Sequence, residues 1–229
     1  MVRQSFIIRW SNLRKKYLKN NGDNMKLIFG TTNKRKIIDL EKVIEGMNLD
    51  IQILGMEDIN WDMGEIEENG LTIEENSLIK ARAILSFCLE HNISYPIVTD
   101  DSGLFVDALN GEPGIYTARY ADDEREKNPE LPIYQCVIKL LRNLEGIDNR
   151  SAKYKSSVTV MMPNGQYYQV GDESKGTIAY EVIGDLTRPY IYSVFILDGT
   201  EVAFNQLDDK TLYDTYRHKA LRRALKKLK

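Results

Sequence analysis

Apolar residues recur along this chain in two rhythms. Between residues 34 and 46 they fall at Ile37, Leu40, Val43 and Ile44, one face of a helix that Gly46 is suited to end. A second helix is predicted from Thr72 to about His91, with Leu78, Ala81, Leu85 and Cys88 on one face and Lys80 off it. Its start, Thr72-Ile73-Glu74-Glu75, matches a capping box, which gives Glu75 a structural job. Ile133, Val137, Leu140 and Leu141 predict a third helix to about Leu144, and residues 208–229 a closing basic helix carrying Leu221, Leu225 and Leu228. Shorter apolar runs read as strands: residues 26–30, 50–54 and 96–98. A hairpin is predicted from 152–162 and 166–171, about Pro163-Asn164-Gly165. Further strand candidates are 177–183, 190–197 and 201–204, so strands and helices interleave as in an α/β protein.

Candidate chemistry gathers at the turns. After the run Pro96-Ile97-Val98 come two adjacent carboxylates, Asp100 and Asp101, then an expected small-residue turn, Ser102-Gly103. A second turn follows at Asn110-Gly111-Glu112-Pro113-Gly114. Open α/β sheets place ligands beyond the carboxyl ends of their strands. Two carboxylates side by side there suit a hard divalent cation or the activation of a water. The blander alternative is a solvated turn, for which Asp, Ser and Gly are ordinary residues. Thr31, Asn33, Lys34, Arg35 and Lys36 cluster where the first strand gives way to a helix. Cations are unusual at a helix N-terminus, and hydroxyls, free N–H groups and positive side chains together make a phosphate cradle. The glycine spacing of a Walker A loop is missing, and alone the cluster reads equally as a solvated helix start. Residues 57–69 form a loop dense in acids, Asp62, Glu65, Glu67 and Glu68 among them. His91 reads as a surface residue at a helix end.

Composition narrows the classes. A chain of 229 residues with 42% hydrophobic content buries one substantial core without staples. Its net charge of −3 gives no reason to expect nucleic acid or an anionic membrane as the main partner. Cys88 and Cys136 sit in apolar helical patterns without metal-ligand spacing, which points to a reducing, cytoplasmic setting. Residues 1–24 stand apart: Arg3, Arg9, Arg14, Lys15, Lys16 and Lys19 precede the first acid, Asp23. They read either as a basic targeting segment or as a leader translated upstream of a natural start at Met25. The remainder, 25–229, is expected to be a single bilobed domain.

The blocks GTTNKRKIIDL (30–40), EENGLTIEENSLIKARA (67–83), DDSGLFVDALNGEPGIYTARYA (100–121), GDESKGTI (171–178) and TYRHKAL (215–221) resemble, in order, the inosine/xanthosine triphosphate pyrophosphatase family of house-cleaning nucleotide hydrolases. The resemblance covers essentially all of residues 25–229. It implies an α/β fold, a bilobed mixed β-sheet with flanking helices, with the active site in the cleft between lobes. It also implies a homodimer that uses Mg²⁺ to cleave nucleoside triphosphates to the monophosphate and pyrophosphate. Carried over by position, Asp101 looks like the general base and a metal ligand, Glu67 like the second metal ligand, and Ser102 like a substrate contact. Thr31, Thr32, Asn33 and Lys36 look like the triphosphate cradle, and Asp100, Glu75 and Lys80 like further polar residues of the site, the two acids near the metal and Lys80 beside the chemistry.

The departures lie at the end that reads the base. The family has Phe-Gly-Tyr-Asp-Pro where this chain has Tyr190-Ile191-Tyr192-Ser193-Val194, so Ser193 stands in place of an aspartate. The family's Ser-His-Arg is here Thr215-Tyr216-Arg217, with His218 beside the lost histidine, and Lys210 is one residue out of register with a family lysine. Tyr190 and Tyr192 remain as rings to cover a base, and Arg217 as a donor to it. The expectation is hydrolysis of aberrant purine nucleotides such as ITP, XTP and dITP with altered base selectivity. Two alternatives stay open: the same chemistry on another modified nucleotide, or nucleotide binding without turnover.

Overall fold

The computed structural model describes residues 25–130, 134–184 and 190–228. The basic segment 1–24 and Ile133 of the anticipated third helix lie outside the described residues. One mixed sheet runs through the molecule in the order β2-β1-β3-β5-β6-β7, with β4 paired to β3. Its strands are β1 (Met25–Phe29), β2 (Ile51–Leu54), β3 (Ile97–Val106), β4 (Pro113–Gly114), β5 (Ser151–Met161), β6 (Tyr167–Ile178) and β7 (Phe195–Leu197). β1 lies parallel to β2 and to the start of β3, and every later pairing is antiparallel. The helices are α1 (Lys34–Gly46), α2 (Ile73–Glu90), α3 (Asp122–Lys127), α4 (Gln135–Asn143), α5 (Asp209–Tyr213) and α6 (Tyr216–Leu228).

Three long strands, β3, β5 and β6, belong to both lobes. Around their outer half, α1 and α6 bury Leu40, Val43, Leu221 and Leu225 against Leu27, Phe29, Val98 and Val160. On the opposite face of that half, α2 buries Ala81, Ile84, Phe87 and Cys88 against Ile28, Ile97 and Met161. The other half carries a separate core of Leu104, Val106, Leu140, Ile178, Phe195 and Phe204 with the rings of Tyr154, Tyr192 and Tyr216. No helix among the described residues is long and apolar enough to cross a membrane.

Several local expectations give way to longer-range pairing. The turn anticipated at Ser102-Gly103 is mid-strand, because β5 offers a continuous antiparallel ladder from Ile97↔Met161 to Val106↔Ala152. Gly103 serves close approach instead: a Cβ there would stand 2.2 Å from the Gly114 carbonyl oxygen on β4. The hairpin turn forms as the sequence predicts, with Gly165 at φ +81°, but its second strand runs on to Ile178 and absorbs the start of the candidate strand 177–183. Of residues 190–197 only β7 is extended, and Ile191–Ser193 coil into a 3₁₀ turn. Residues 201–204 contribute a single bridge, Ile196↔Ala203, and the closing helix is broken into α5 and α6. On α2 the buried face is Ile73, Ser77, Lys80, Ala81, Ile84 and Phe87, so Lys80 lies on it rather than off it.

Candidate active site

Where β1 ends and β3 runs on beside β5, the two lobes part to leave a cleft of about 970 Å³. Gly30 leads out of β1 into its floor, and a Cβ there would lie 2.3 Å from Ile84 Cδ1 and 2.7 Å from Thr99 Cγ2, so a larger residue would have to displace both side chains. The next residues turn into α1. Asn33 caps that helix, its Oδ1 accepting from the Arg35 N–H at 3.0 Å, while Thr31 Oγ1 accepts from the Asn33 N–H at 3.1 Å. Thr31, Thr32, Asn33, Arg35 and Lys36 all line the cleft, a helix N-terminus with its cations turned toward one space.

Alternation along β3 splits the two carboxylates. Successive strand residues point to opposite faces. Thr99 and Asp101 face α2: Thr99 Oγ1 donates to the Ser77 carbonyl at 2.6 Å, and Asp101 Oδ2 accepts from Asn76 Nδ2 at 3.3 Å. Asp100 faces α1 and α6, with Lys36 Nζ 3.0 Å from Oδ1 and Arg217 Nε 3.3 Å from Oδ2. The two side chains are therefore directed to opposite faces of the sheet rather than side by side as the sequence suggested. Burial alone would raise the Asp100 carboxyl, but the Lys36 and Arg217 charges outweigh it and hold the group below the usual carboxylate range. Burial also pulls the Lys36 ammonium down, against the support of Asp100.

Asp101 has the opposite balance. Burial pushes its carboxyl up, Lys80 and Lys36 pull it back, and Glu68 and Asp100 add to the push. Lys80, only 8% exposed, stands 3.0 Å from Glu68 Oε2 and 3.7 Å from Asp101 Oδ1, so two carboxylates share one ammonium. Glu67 and Glu68 line the same wall. This all-oxygen, negatively biased set fits a hard cation such as Mg²⁺, of which a protein commonly supplies one or two carboxylate ligands. Among the described residues no cluster of three or more acidic, histidine or cysteine ligands is gathered. Glu75 lies off the cleft wall. It works as a helix cap, its Oε2 accepting from the Leu71 N–H at 2.6 Å, while Thr72 Oγ1 accepts from the Glu75 N–H at 3.1 Å.

Toward the second lobe the wall becomes aromatic. Tyr190, Tyr192 and Tyr154 line it, with the Arg35 guanidinium 5.8 Å and 5.4 Å from the first two ring centres. Arg217 reaches the cleft from the start of α6 but is heavily engaged: Nη1 donates to Asp39 at 2.9 Å, Nη2 to Ser102 Oγ at 2.8 Å, and Nε faces Asp100. Ser193 does not stand where an aspartate would read a base. It is fully buried in the 3₁₀ turn, its hydroxyl donating to the Tyr190 carbonyl at 2.6 Å. Neither His218, buried with Nε2 3.7 Å from Asp39, nor Lys210 lines the cleft.

The cleft thus brings together Glu67, Lys80, Asp101, Ser102, Tyr190, Tyr192, Arg217 and the α1 cradle, and leaves Asp100, Glu75 and Ser193 off its wall. Sequence reasoning passed over Asn76, Asp39 and Tyr154. Asn76 carried a signal, a polar side chain on the core-facing stripe of a helix; it ties Gly70 of the acidic loop to Asp101.

The chain is similar in sequence and in fold to known proteins. A dITP/XTP pyrophosphatase of Listeria monocytogenes is 37% identical over 163 residues, 69% of this chain and 72% of the relative. That of Nitratidesulfovibrio vulgaris is 34% identical over 204 residues, 87% of this chain and 93% of the relative. The solved Ham1 protein of Staphylococcus aureus superposes with a TM-score of 0.68 at 25% identity, covering 87% of this chain and 95% of its own. A dITP/XTP pyrophosphatase structure from Mycobacterium abscessus gives 0.63 at 28% identity, over 90% and 98%. The family model matched over residues 27–229 is that of the Ham1 family, and this chain belongs to it.

Proposed function

We propose that this protein hydrolyses nucleoside triphosphates, aberrant purine nucleotides such as ITP, XTP and dITP among them, to the monophosphate and pyrophosphate. The observation that carries the reading is the placement of Asp101. It is a cleft-facing carboxylate raised by burial, set between Asn76 and Lys80 on the cavity into which the α1 cradle opens. The names of the relatives, dITP/XTP pyrophosphatase, support the same reaction class.

The residues divide the work. Thr31, Asn33 and the start of α1 receive phosphate oxygens, and Lys36 and Lys80 offset charge as pyrophosphate leaves. Asp101 takes the proton of the water attacking phosphorus, a task for which burial, by raising its carboxyl, makes it a better base. Glu67 and Asp101, with Glu68 beside them, would hold Mg²⁺, which when bound neutralises the triphosphate and makes a water more acidic. Asp100 serves as the counter-ion of Lys36 and Arg217 and stays out of the chemistry. A homodimer in the cytoplasm, as the resemblance implies, belongs to the same proposal; the unpaired Cys88 and Cys136 favour a reducing compartment.

The test is pyrophosphate release by the full chain over ITP, XTP, GTP, ATP and modified pyrimidine triphosphates, with and without Mg²⁺. Metal-dependent release with ITP or XTP supports the reading. Release confined to another nucleotide would redirect it, and binding without release would reduce the protein to a nucleotide binder.

A further inference from the structure

At the aromatic end of the cleft lies a buried hydroxyl with nothing to bind among the described residues. Tyr154 is 2% exposed, yet its Oη has no hydrogen-bond partner among the described residues, although the side chain lines the cavity. Its ring is fixed on several sides. It stacks on Tyr216 at 5.1 Å and 13°, meets Phe195 edge-on at 4.9 Å, and lies 5.1 Å from Tyr192. Beside it, Tyr192 and Tyr216 share a single hydroxyl–hydroxyl bond of 2.7 Å. A buried hydroxyl without a partner is costly to keep, and a rigid one in a ligand cavity is a recognition group waiting for its ligand.

Of the polar groups nearby, Arg217 on the wall and Ser193 behind it are already committed. Ser193 donates to the Tyr190 carbonyl, and each nitrogen of Arg217 faces Asp39, Asp100 or Ser102. Arg35 lies over the faces of Tyr190 and Tyr192. Resting on the reading that this cleft takes nucleotides, we propose that the Tyr154 hydroxyl is the group that reads the edge of the bound base, and that it accepts keto and amino purines alike. A phenol both donates and accepts, so it pairs with a carbonyl or a ring N–H on one base and with an amino group or ring nitrogen on another. A carboxylate, which only accepts, would choose between them. Burial lifts the Tyr154 phenol well above its ordinary value, so the donor proton stays in place across the physiological range.

Tyr154→Phe removes the hydroxyl and keeps the ring that packs on Tyr216 and Phe195. The full chain and this variant are titrated calorimetrically with inosine monophosphate, adenosine monophosphate and ribose 5-phosphate. Both nucleotides should bind about three- to tenfold more weakly to the variant, the range of one net hydrogen bond, with ribose 5-phosphate unchanged. Nucleotide affinities within twofold of wild type would overturn the proposal, as would an equal loss for ribose 5-phosphate, which marks general damage to the cleft. A loss confined to one nucleotide would overturn the claim that the hydroxyl serves both bases. Pyrophosphate release by the wild type is measured in parallel. Turnover with an indifferent Tyr154→Phe sinks Tyr154 alone; a base-dependent loss of binding without turnover sinks hydrolysis and leaves Tyr154 as the reader.

Discussion

The two ends of the cleft are built on opposite principles. At the end formed by the start of α1, the proposed phosphate end, both buried lysines have counter-charges before any ligand arrives: Lys36 with Asp100, and Lys80 with Glu68 and Asp101. At the aromatic end the wall is made largely of rings, and the Tyr154 hydroxyl buried there without a partner is neutral. The difference teaches where each kind of recognition draws its strength. A triphosphate competes for pre-set ion pairs and gains by exchanging partners at little reorganisation cost. A base gains through stacking and a single neutral contact, so it binds with less power to discriminate.

The contrast breaks first, if at all, at β3, where neighbouring residues serve the two purposes of catalysis and scaffold. Asp101→Asn should lower kcat by roughly 10²–10⁴-fold while the melting temperature moves little, since the general base is lost and the shape is kept. Steady-state kinetics with ITP and a thermal melt check this, and kcat within a few-fold of wild type would remove Asp101 from the mechanism. Asp100→Asn should do the reverse. It strips a buried counter-ion from Lys36 and Arg217, which should cost about 3 kcal/mol of stability, read by urea unfolding. A variant as stable as wild type would show that the pair is not what holds this end of α1 to β3.

Smaller effects sharpen the contrast between the ends. Tyr190→Ala should weaken nucleotide binding by about 1–3 kcal/mol, the worth of one stacked ring, and leave inorganic triphosphate binding unchanged. Equal losses for both ligands would move Tyr190 out of base contact. Across ITP, XTP, GTP and ATP, kcat/KM should differ by less than about 10²-fold, because the acceptor-only carboxylate that could enforce more is absent. A larger preference for the 6-keto aberrant purines would mean that a second polar group reads the base.

The start of α1 was legible in the sequence because contiguous residues make it. The α1 limits and the Thr72 cap follow from local chemistry, and the structure reproduces them and adds an Asn33 cap. What stayed hidden is direction. Asp100-Asp101 reads as a pair until β5 supplies the ladder that turns them to opposite faces. Lys80 reads as solvent-facing because periodicity counts only apolar residues, whereas its ammonium is held inside by Glu68 and Asp101. The aromatic end was harder still. Tyr154, Tyr192 and Tyr216 come from β5, a 3₁₀ turn and α6, and no spacing rule connects them. Ser193 aligned with the family's aspartate, but a tight turn points its hydroxyl at its own backbone.

Because β3, β5 and β6 run unbroken from one lobe into the other, the cleft has no linker about which to swing. Narrowing it around a ligand means flexing three hydrogen-bonded ribbons in concert, as one bends a leaf spring, and the stiffest place to bend is the row joining Asp101, Ser157 and Gly171. Amides along that row should trade their protons for deuterium more slowly when a nucleotide sits between the lobes.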